Sequence, residues 1–228
     1  MYTPPTDFVP LITGDGSITL RSEALNEQYH STHGAVQESR HVFIHTGLHA
    51  VQRDHIDVLE LGLGTGLNAL LTWIDAEERN VQVNYTALEP HPVHAQHLAA
   101  LDHPRAIAQP ERTHTFLNMM ASPPGAWHRV SDHFQFRWFM LPLYAHQALE
   151  AYDLIFFDAF SPRVQPELWT EDLFRHLHGT LRPGGSLVTY CAKGDVRRAM
   201  LAAGFTVKRR KGPPGKGQML RAERPLRG

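Results

Sequence analysis

A chain of 228 residues is long enough for one substantial hydrophobic core. With 42% hydrophobic and 20% charged residues and no apolar run near the ~18 needed to cross a bilayer, it reads as a globular protein. One cysteine, Cys191, excludes an intrachain disulfide framework, and a start containing Pro and Asp but no basic-then-apolar segment does not read as a secretory signal, so the expected location is the cytoplasm. Net charge is −1, but residues 208–228 carry +7 and the remainder −8, an asymmetry that suits either a basic patch for nucleic acid or a solubilising terminus.

Residues 1–55 have no clear rhythm and are expected to form an N-terminal extension packed on the core, with a helix within "STHGAVQESRHVFIHTG". From residue 56 to 228, short Val/Ile/Leu/Phe runs alternate with longer helical patterns, which predicts an α/β domain around a parallel sheet. "IDVLELG" is the first buried strand, followed by a helix over about 66–78. "VQVNYTALE" is the second strand, and Pro92 suits the first turn of a helix continued by "VHAQHLAALD". "FQFRWFML" and "YDLIFFDAF" are strands three and four, and "SLVTYCA" is strand five. Between the last two, "PELWTEDLFRHLHGTL" is the crossover helix, with "RPGG" as its glycine-rich stop. A short helix, "DVRRAMLAAG", precedes a closing strand pair, "FTVKRR" and "QMLRAE", around "KGPPGKG".

The chemistry concentrates at strand ends. Gly62, Gly64 and Gly66 occupy the first strand-to-helix turn, where a ligand can approach bare backbone and the helix offers free N–H groups. A dinucleotide fingerprint needs Gly at 67, and this chain has Leu67; it reads E-x-G-x-G-x-G from Glu60 to Gly66. Glu89 ends the second strand, where an acid can accept from both ribose hydroxyls of a nucleoside. Glu60 either binds the amino group of a methionine moiety or anchors the glycine loop. Asp158, after "LIFF", would be costly to bury unpaired and is expected to face the cleft.

The glycine pattern resembles motif I of class I S-adenosylmethionine methyltransferases. Six stretches together, "ESRHVFI", "ELGLGTGLNAL", "YTALEPHPV", "FFDAFSPRVQPELWTEDLF", "LRPGGSLVTYCAKGDVRRAMLAAGF" and "KGPPGKGQMLRA", resemble the MnmC-type methyltransferases that complete 5-methylaminomethyl-2-thiouridine at the tRNA wobble position, in a stand-alone, MnmD-like form. Asn68 after the glycines and D-A-F-S-P…P-E-L-W-T carry most of the specificity. The resemblance implies a Rossmann-like, seven-stranded, mostly parallel sheet, S-adenosyl-L-methionine as donor, and the primary amine of 5-aminomethyl-(2-thio)uridine as acceptor. A separate FAD-dependent oxidase is the expected supplier of that amine. One departure is the lack of an acid after strand three for adenine; backbone groups, or Asp132 if that strand is misplaced, would have to serve.

Asp158 is accordingly expected to orient the acceptor amine and to relay its proton. Glu60, Gly62, Gly64, Gly66, Asn68, Glu89 and Tyr29 are the expected cofactor residues; Phe160, Pro162, Lys193, Arg197, Lys211 and Lys216 are expected to meet the substrate, the lysines through tRNA phosphates. Tyr190 and Trp169 offer further rings for a base, although core packing is the better reading of Trp169. His91, His94 and His97 share a helix face only approximately, and with no H-E-x-x-H or Cys-His array no metal is expected. The competing readings are an aminopropyltransferase-like or small-molecule amine transferase on the same fold, and a non-catalytic RNA-binding module.

Overall fold

The computed structural model describes residues 8–142 and 144–227. It begins with a small antiparallel sheet of β1 (Phe8–Ile12), β2 (Ile18–Ser22) and the two-residue β3 (Glu27–Gln28). Helix α1 (Ala35–Ser39) then runs straight into a wide π-helical turn, Arg40–His45. Val42, Phe43, Ile44 and Leu48 are buried in the same apolar cluster as Val58 and Leu70 of the main core.

The central sheet has eight strands: β4 (His55–Leu61), β5 (Gln82–Leu88), β6 (His128–Arg129), β7 (Phe134–Phe139), β8 (Tyr152–Phe157), β9 (Leu181–Thr189), β10 (Thr206–Lys211) and β11 (Gln218–Glu223). Their order is β10-β11-β9-β8-β4-β5-β7-β6. Strands β4, β5, β7, β8 and β9 are parallel, while β11 is antiparallel to both β9 and β10. These are the seven expected strands; the eighth, β6, adds one antiparallel edge of two residues. Strand β8 is buried along its whole length, which is why "YDLIFF" shows no polar alternation. Helices α2 (Leu67–Arg79), α3 (Ala95–Leu101), α4 (His103–Ala106) and α5 (Thr113–Met120) lie between β4 and β6 in sequence, and α6 (Glu171–Thr180) and α7 (Gly194–Ala202) flank β9. One apolar cluster joins α2 and α5 to the sheet, a second joins α6 and α7, and a third packs Leu20 of β2 on Val93, Leu98 and Leu101. No helix among the described residues is long and apolar enough to cross a membrane.

Two expectations need correction. "RPGG" is no helix stop: α6 ends at Thr180, Leu181 is already extended, and Arg182–Gly185 form the first half of β9. Arg182 fixes this irregular stretch by bonding Asp153 (2.8 Å) and Asp57 (2.9 Å). The helix read from Pro92 begins only at Ala95, so the prolines at 90 and 92 lie in the preceding loop.

The register positions the chemistry. Leu61 of β4 pairs with Leu88 of β5 on one side and Phe157 of β8 on the other. The next residues, Gly62, Glu89 and Asp158, therefore emerge side by side at the carboxyl edge, where the chain order switches direction.

Candidate active site

Gly62 is held from both sides: its N–H donates to Leu88 O (3.0 Å), and the Asp158 N–H donates to Leu61 O (3.0 Å). At φ +89°, a Cβ on Gly62 would lie 2.7 Å from the Asp158 carbonyl oxygen. Gly64 has φ +51°, and its missing side chain admits the Tyr29 ring, 2.9 Å from where a Cβ would stand. At Gly66 the corresponding neighbour is the Met120 sulfur. What would meet a Cβ at each of these glycines is the protein itself. The glycines let two strand ends and an aromatic ring close in, and the ligand space lies beyond them.

That space is a cleft of about 1230 Å³ lined by Gly62, Leu63, Gly64, Thr65, Asn68, Glu89 and Asp158, with walls from the N-terminal segment and from the loops after β5 and β8. Glu89 is buried, accepting from Gly64 N–H (3.0 Å) through Oε2 and from His91 N–H (2.9 Å) through Oε1. Burial pushes its pKa up to about 7 against the pull of those two donors. Each oxygen keeps a lone pair for a further donor.

Asp158 is half-buried and opens to the cleft. The Asn68 amide donates to Asp158 Oδ2 (2.8 Å) and to Glu60 Oε1 (2.9 Å), tying the two acids together. Burial raises Asp158 to about 7, with the Glu38 charge adding to the rise and Asn68 and Lys216 opposing it. Glu60 is pushed well above the carboxylate range by burial, against the Asn68 bond, with Asp158 adding to the rise. Glu60 is not part of the cleft wall, so of its two readings the anchoring one matches its position: it holds Asn68.

The N-terminal segment closes over the cleft. Tyr29 stands between Phe8 and Phe160, with ring centroids 5.4 and 5.0 Å away. Glu27 accepts from Ser161 (2.9 Å) and Arg163 (2.9 Å), clasping the "DAFSP" loop to β3. Trp169 orders that loop from behind, donating from its indole N–H to Phe160 O (2.9 Å) and packing on Phe157, so it belongs to the core. Tyr190 lines the cleft and donates to Ala159 O (2.9 Å). Behind the glycine turn, Thr65 meets His103 Nε2 (2.9 Å), while His30 bonds Thr19 (3.0 Å); burial lowers His30 to about 3 and His103 to about 4, so both are neutral.

Of the expected site residues, Tyr29, Gly62, Gly64, Asn68, Glu89, Asp158, Phe160 and Lys216 converge on the cleft. Glu60, Gly66, Pro162, Lys193, Arg197 and Lys211 do not line it. Lys193 and Lys211 are exposed outside it, and Arg197 is half-buried on α7. Lys216 turns inward, pairing with Glu38 with its ammonium 4.2 Å from the Tyr190 ring centre, rather than standing out toward a phosphate. Asp132 lies before β7, at the opposite edge of the sheet, and pairs with Arg129 (2.7 Å), so it is no adenine ligand. Sequence reasoning missed Glu38 as a site residue: it opens the "ESRHVFI" stretch, but nothing in its five-residue helix marks it as facing the cleft.

Comparison with known proteins agrees with this geometry. A family model described as S-adenosyl-L-methionine-dependent methyltransferase matches residues 141–225. The tRNA 5-methylaminomethyl-2-thiouridine biosynthesis bifunctional protein MnmC of Aromatoleum aromaticum is 35% identical over 92% of this chain and 34% of its own length. The chain is thus similar to S-adenosylmethionine-dependent methyltransferases over its C-terminal part and to the MnmC protein over most of its length. The protein of the same name from Burkholderia multivorans is 32% identical over 90% of this chain and 33% of its own length. The chain thus spans about a third of the length of these relatives. Its fold matches that of MNMC2 from Aquifex aeolicus with a TM-score of 0.77 at 23% identity, covering 99% of this chain and 73% of that one. Spermidine synthase from Thermotoga maritima shares the fold more distantly, with a TM-score of 0.55 at 12% identity, over 98% and 72% of the two chains.

The cleft fits S-adenosylmethionine, the cofactor that the matching family model names. A buried carboxylate with spare lone pairs stands beside bare glycine backbone, and the side-chain amide oxygen Oδ1 of Asn68 is buried without a hydrogen-bond partner among the described residues. The first suits a pair of hydroxyls and the second an ammonium donor, both of which S-adenosylmethionine carries.

Proposed function

We propose that this methyltransferase converts 5-aminomethyl-(2-thio)uridine at the tRNA wobble position to its methylamino form. The observation that carries the reading is Asp158: a carboxylate raised to about 7, opening into the cleft beside the glycine turn and held in place by Asn68. The names of the MnmC relatives support the substrate class. A separate FAD-dependent oxidase would supply the amine, and the cytoplasm, where tRNA is modified, is the proposed location.

Bound S-adenosylmethionine supplies a methyl group activated by a sulfonium. Glu89 would hold the ribose hydroxyls, the 62–65 backbone would face the nucleoside, and Asn68 would accept from the methionine ammonium. An aliphatic amine with a Lys-like pKa near ~10.4 costs roughly 4–5 kcal/mol to deprotonate at pH 7. Tyr29, Phe8 and Phe160 wall the cleft with rings, and excluding water disfavours the ammonium. Asp158 accepts the amine's N–H bonds, and its elevated pKa makes it a better proton acceptor than an ordinary aspartate. Holding nitrogen and methyl in line contributes about 7–11 kcal/mol.

The direct test mixes protein, cofactor and tRNA carrying 5-aminomethyl-2-thiouridine, then weighs the wobble nucleoside by mass spectrometry. Gain of one methyl is expected; an unchanged nucleoside overturns the reading. Glu89→Gln should weaken cofactor binding by roughly 10–100-fold in calorimetry, because an amide cannot accept at both oxygens.

The RNA-facing surface is proposed to be edge strand β10, where Arg209, Arg210 and Lys211 are exposed at the end that leads into the Lys216 loop. Much of the remaining basic tail is spent on the protein: Arg224 bonds Leu181 O and Glu150, and Lys208 bonds Glu223. Replacing Arg209, Arg210 and Lys211 with Ala is expected to weaken tRNA binding and to flatten its log–log salt dependence by about 0.7–0.9 per lost phosphate contact. An unchanged slope in filter binding would remove β10 from the interface.

A further inference from the structure

Among the described residues, Lys216 is the one basic residue of the basic tail that lines the cleft. Its loop is pinned: Lys216 N–H donates to Pro213 O (2.9 Å), His41 Nε2 bonds Lys211 O (2.8 Å), and Gly215 lies directly against the His33 ring. Its ammonium bonds Glu38 Oε1, and Glu38 Oε2 accepts from Ser31 N–H (2.8 Å). The same ammonium sits 4.2 Å from the ring centre of Tyr190, whose hydroxyl holds the carbonyl of Ala159, the neighbour of Asp158. Glu38, Asp158, Tyr190 and Lys216 all line one cleft. With the Glu38 side chain buried and the Lys216 side chain still 34% exposed, the ion pair adds little net stability, so stability alone does not account for it.

We propose that Lys216 and Glu38 are positioning residues for Asp158: an ion pair reaching from the β10–β11 loop to α1 that sets how readily Asp158 carries charge. The inference rests on the reading of Asp158 as the group that meets the acceptor amine. The groups that act on Asp158 come from every side: Asn68 of α2 donates to it, Glu60 of β4 and Tyr85 of β5 stand behind, Glu38 of α1 and Tyr190 after β9 flank it, and Lys216 faces it from the loop. Glu38 disfavours the carboxylate and Lys216 favours it. The pair thus joins a basic loop near the proposed RNA surface to the reacting end of the cleft.

Two substitutions that break the same ion pair should therefore have opposite effects. The pH dependence of kcat/KM for the acceptor tRNA is the readout. Lys216→Met is expected to move the acidic limb up by roughly 0.5–1 pH unit, and Glu38→Gln to move it down by a similar amount. Lys216→Arg should restore the parent profile. Should Lys216→Met not fold, Lys216→Gln carries the same expectation, and thermal melts report the shared loss of the pair. Limbs that move together, or not at all, overturn the proposal and leave the pair as a fastener for the loop. Asp158→Asn separates the two failures: an inactive Asp158→Asn with unshifted limbs sinks this inference alone, whereas an active one sinks the reading beneath it as well.

Discussion

Asp158→Asn is expected to lower methyl transfer by roughly 10²–10⁴-fold, the range for loss of a positioned proton acceptor, while leaving cofactor binding nearly intact. An amide at this position can still bond Asn68 but cannot take a proton from the amine. The same variant should be more stable than the parent in alkaline solution. The folded-state pKa of Asp158 is raised from 3.8 to about 7, so its contribution to stability is fully present below ~4 and is lost as pH rises through 7. Glu89, also raised to about 7, and Glu60 act in the same direction. Removing one of the three charges should restore about 1–3 kcal/mol at pH 8 after discounting for its partial exposure, and the gap between the melting curves should narrow toward pH 5. Equal activity of variant and parent would remove Asp158 from the chemistry; a variant less stable at pH 8 than at pH 5, relative to the parent, would contradict the electrostatics.

Gly62→Ala is expected to cost about 2–4 kcal/mol, or a fall in melting temperature of roughly 5–15 °C. Two effects combine there. The backbone is at φ +89°, and the added methyl would meet the Asp158 carbonyl oxygen at 2.7 Å and its carbon at 3.2 Å, which no rotamer change relieves. The strain falls on the contact between the ends of β4 and β8, so activity should fall with stability. Gly64→Ala is the control: its methyl meets only the Tyr29 ring, which can swing, so the stability loss should be smaller. Equal losses at 62 and 64 would mean that the strand-end contact is not what makes Gly62 necessary.

The sheet was legible because β8, most of β4 and β5, and the second half of β9 are buried and read as apolar runs bounded by turns, and the donor half of the cleft was legible because it is written in one turn and two strand ends. "RPGG" misled because α6 passes into β9 with no loop between them, so its glycines serve an irregular strand rather than a helix end. The glycine turn is ambiguous in a subtler way: residues excluded from side chains by a ligand and by Tyr29 or Met120 look identical in sequence. The acceptor half was only partly legible: Asp158 and Phe160 could be read at the end of a strand, but the ion pair facing them could not. Glu38 and Lys216 are 178 positions apart, and no periodicity or local spacing joins them. Lys216 looked like its basic neighbours, and only the fold turns it inward.

The clasp between the N-terminal segment and the two distant loops also dictates a timetable. On a ribosome, Glu27, Tyr29 and Glu38 leave the tunnel more than a hundred residues before their partners at 160–163 and 216. Contacts of such long range close late, so this wall of the cleft is completed after the strands around it have been made. Competence for the reaction therefore waits for the β10–β11 loop.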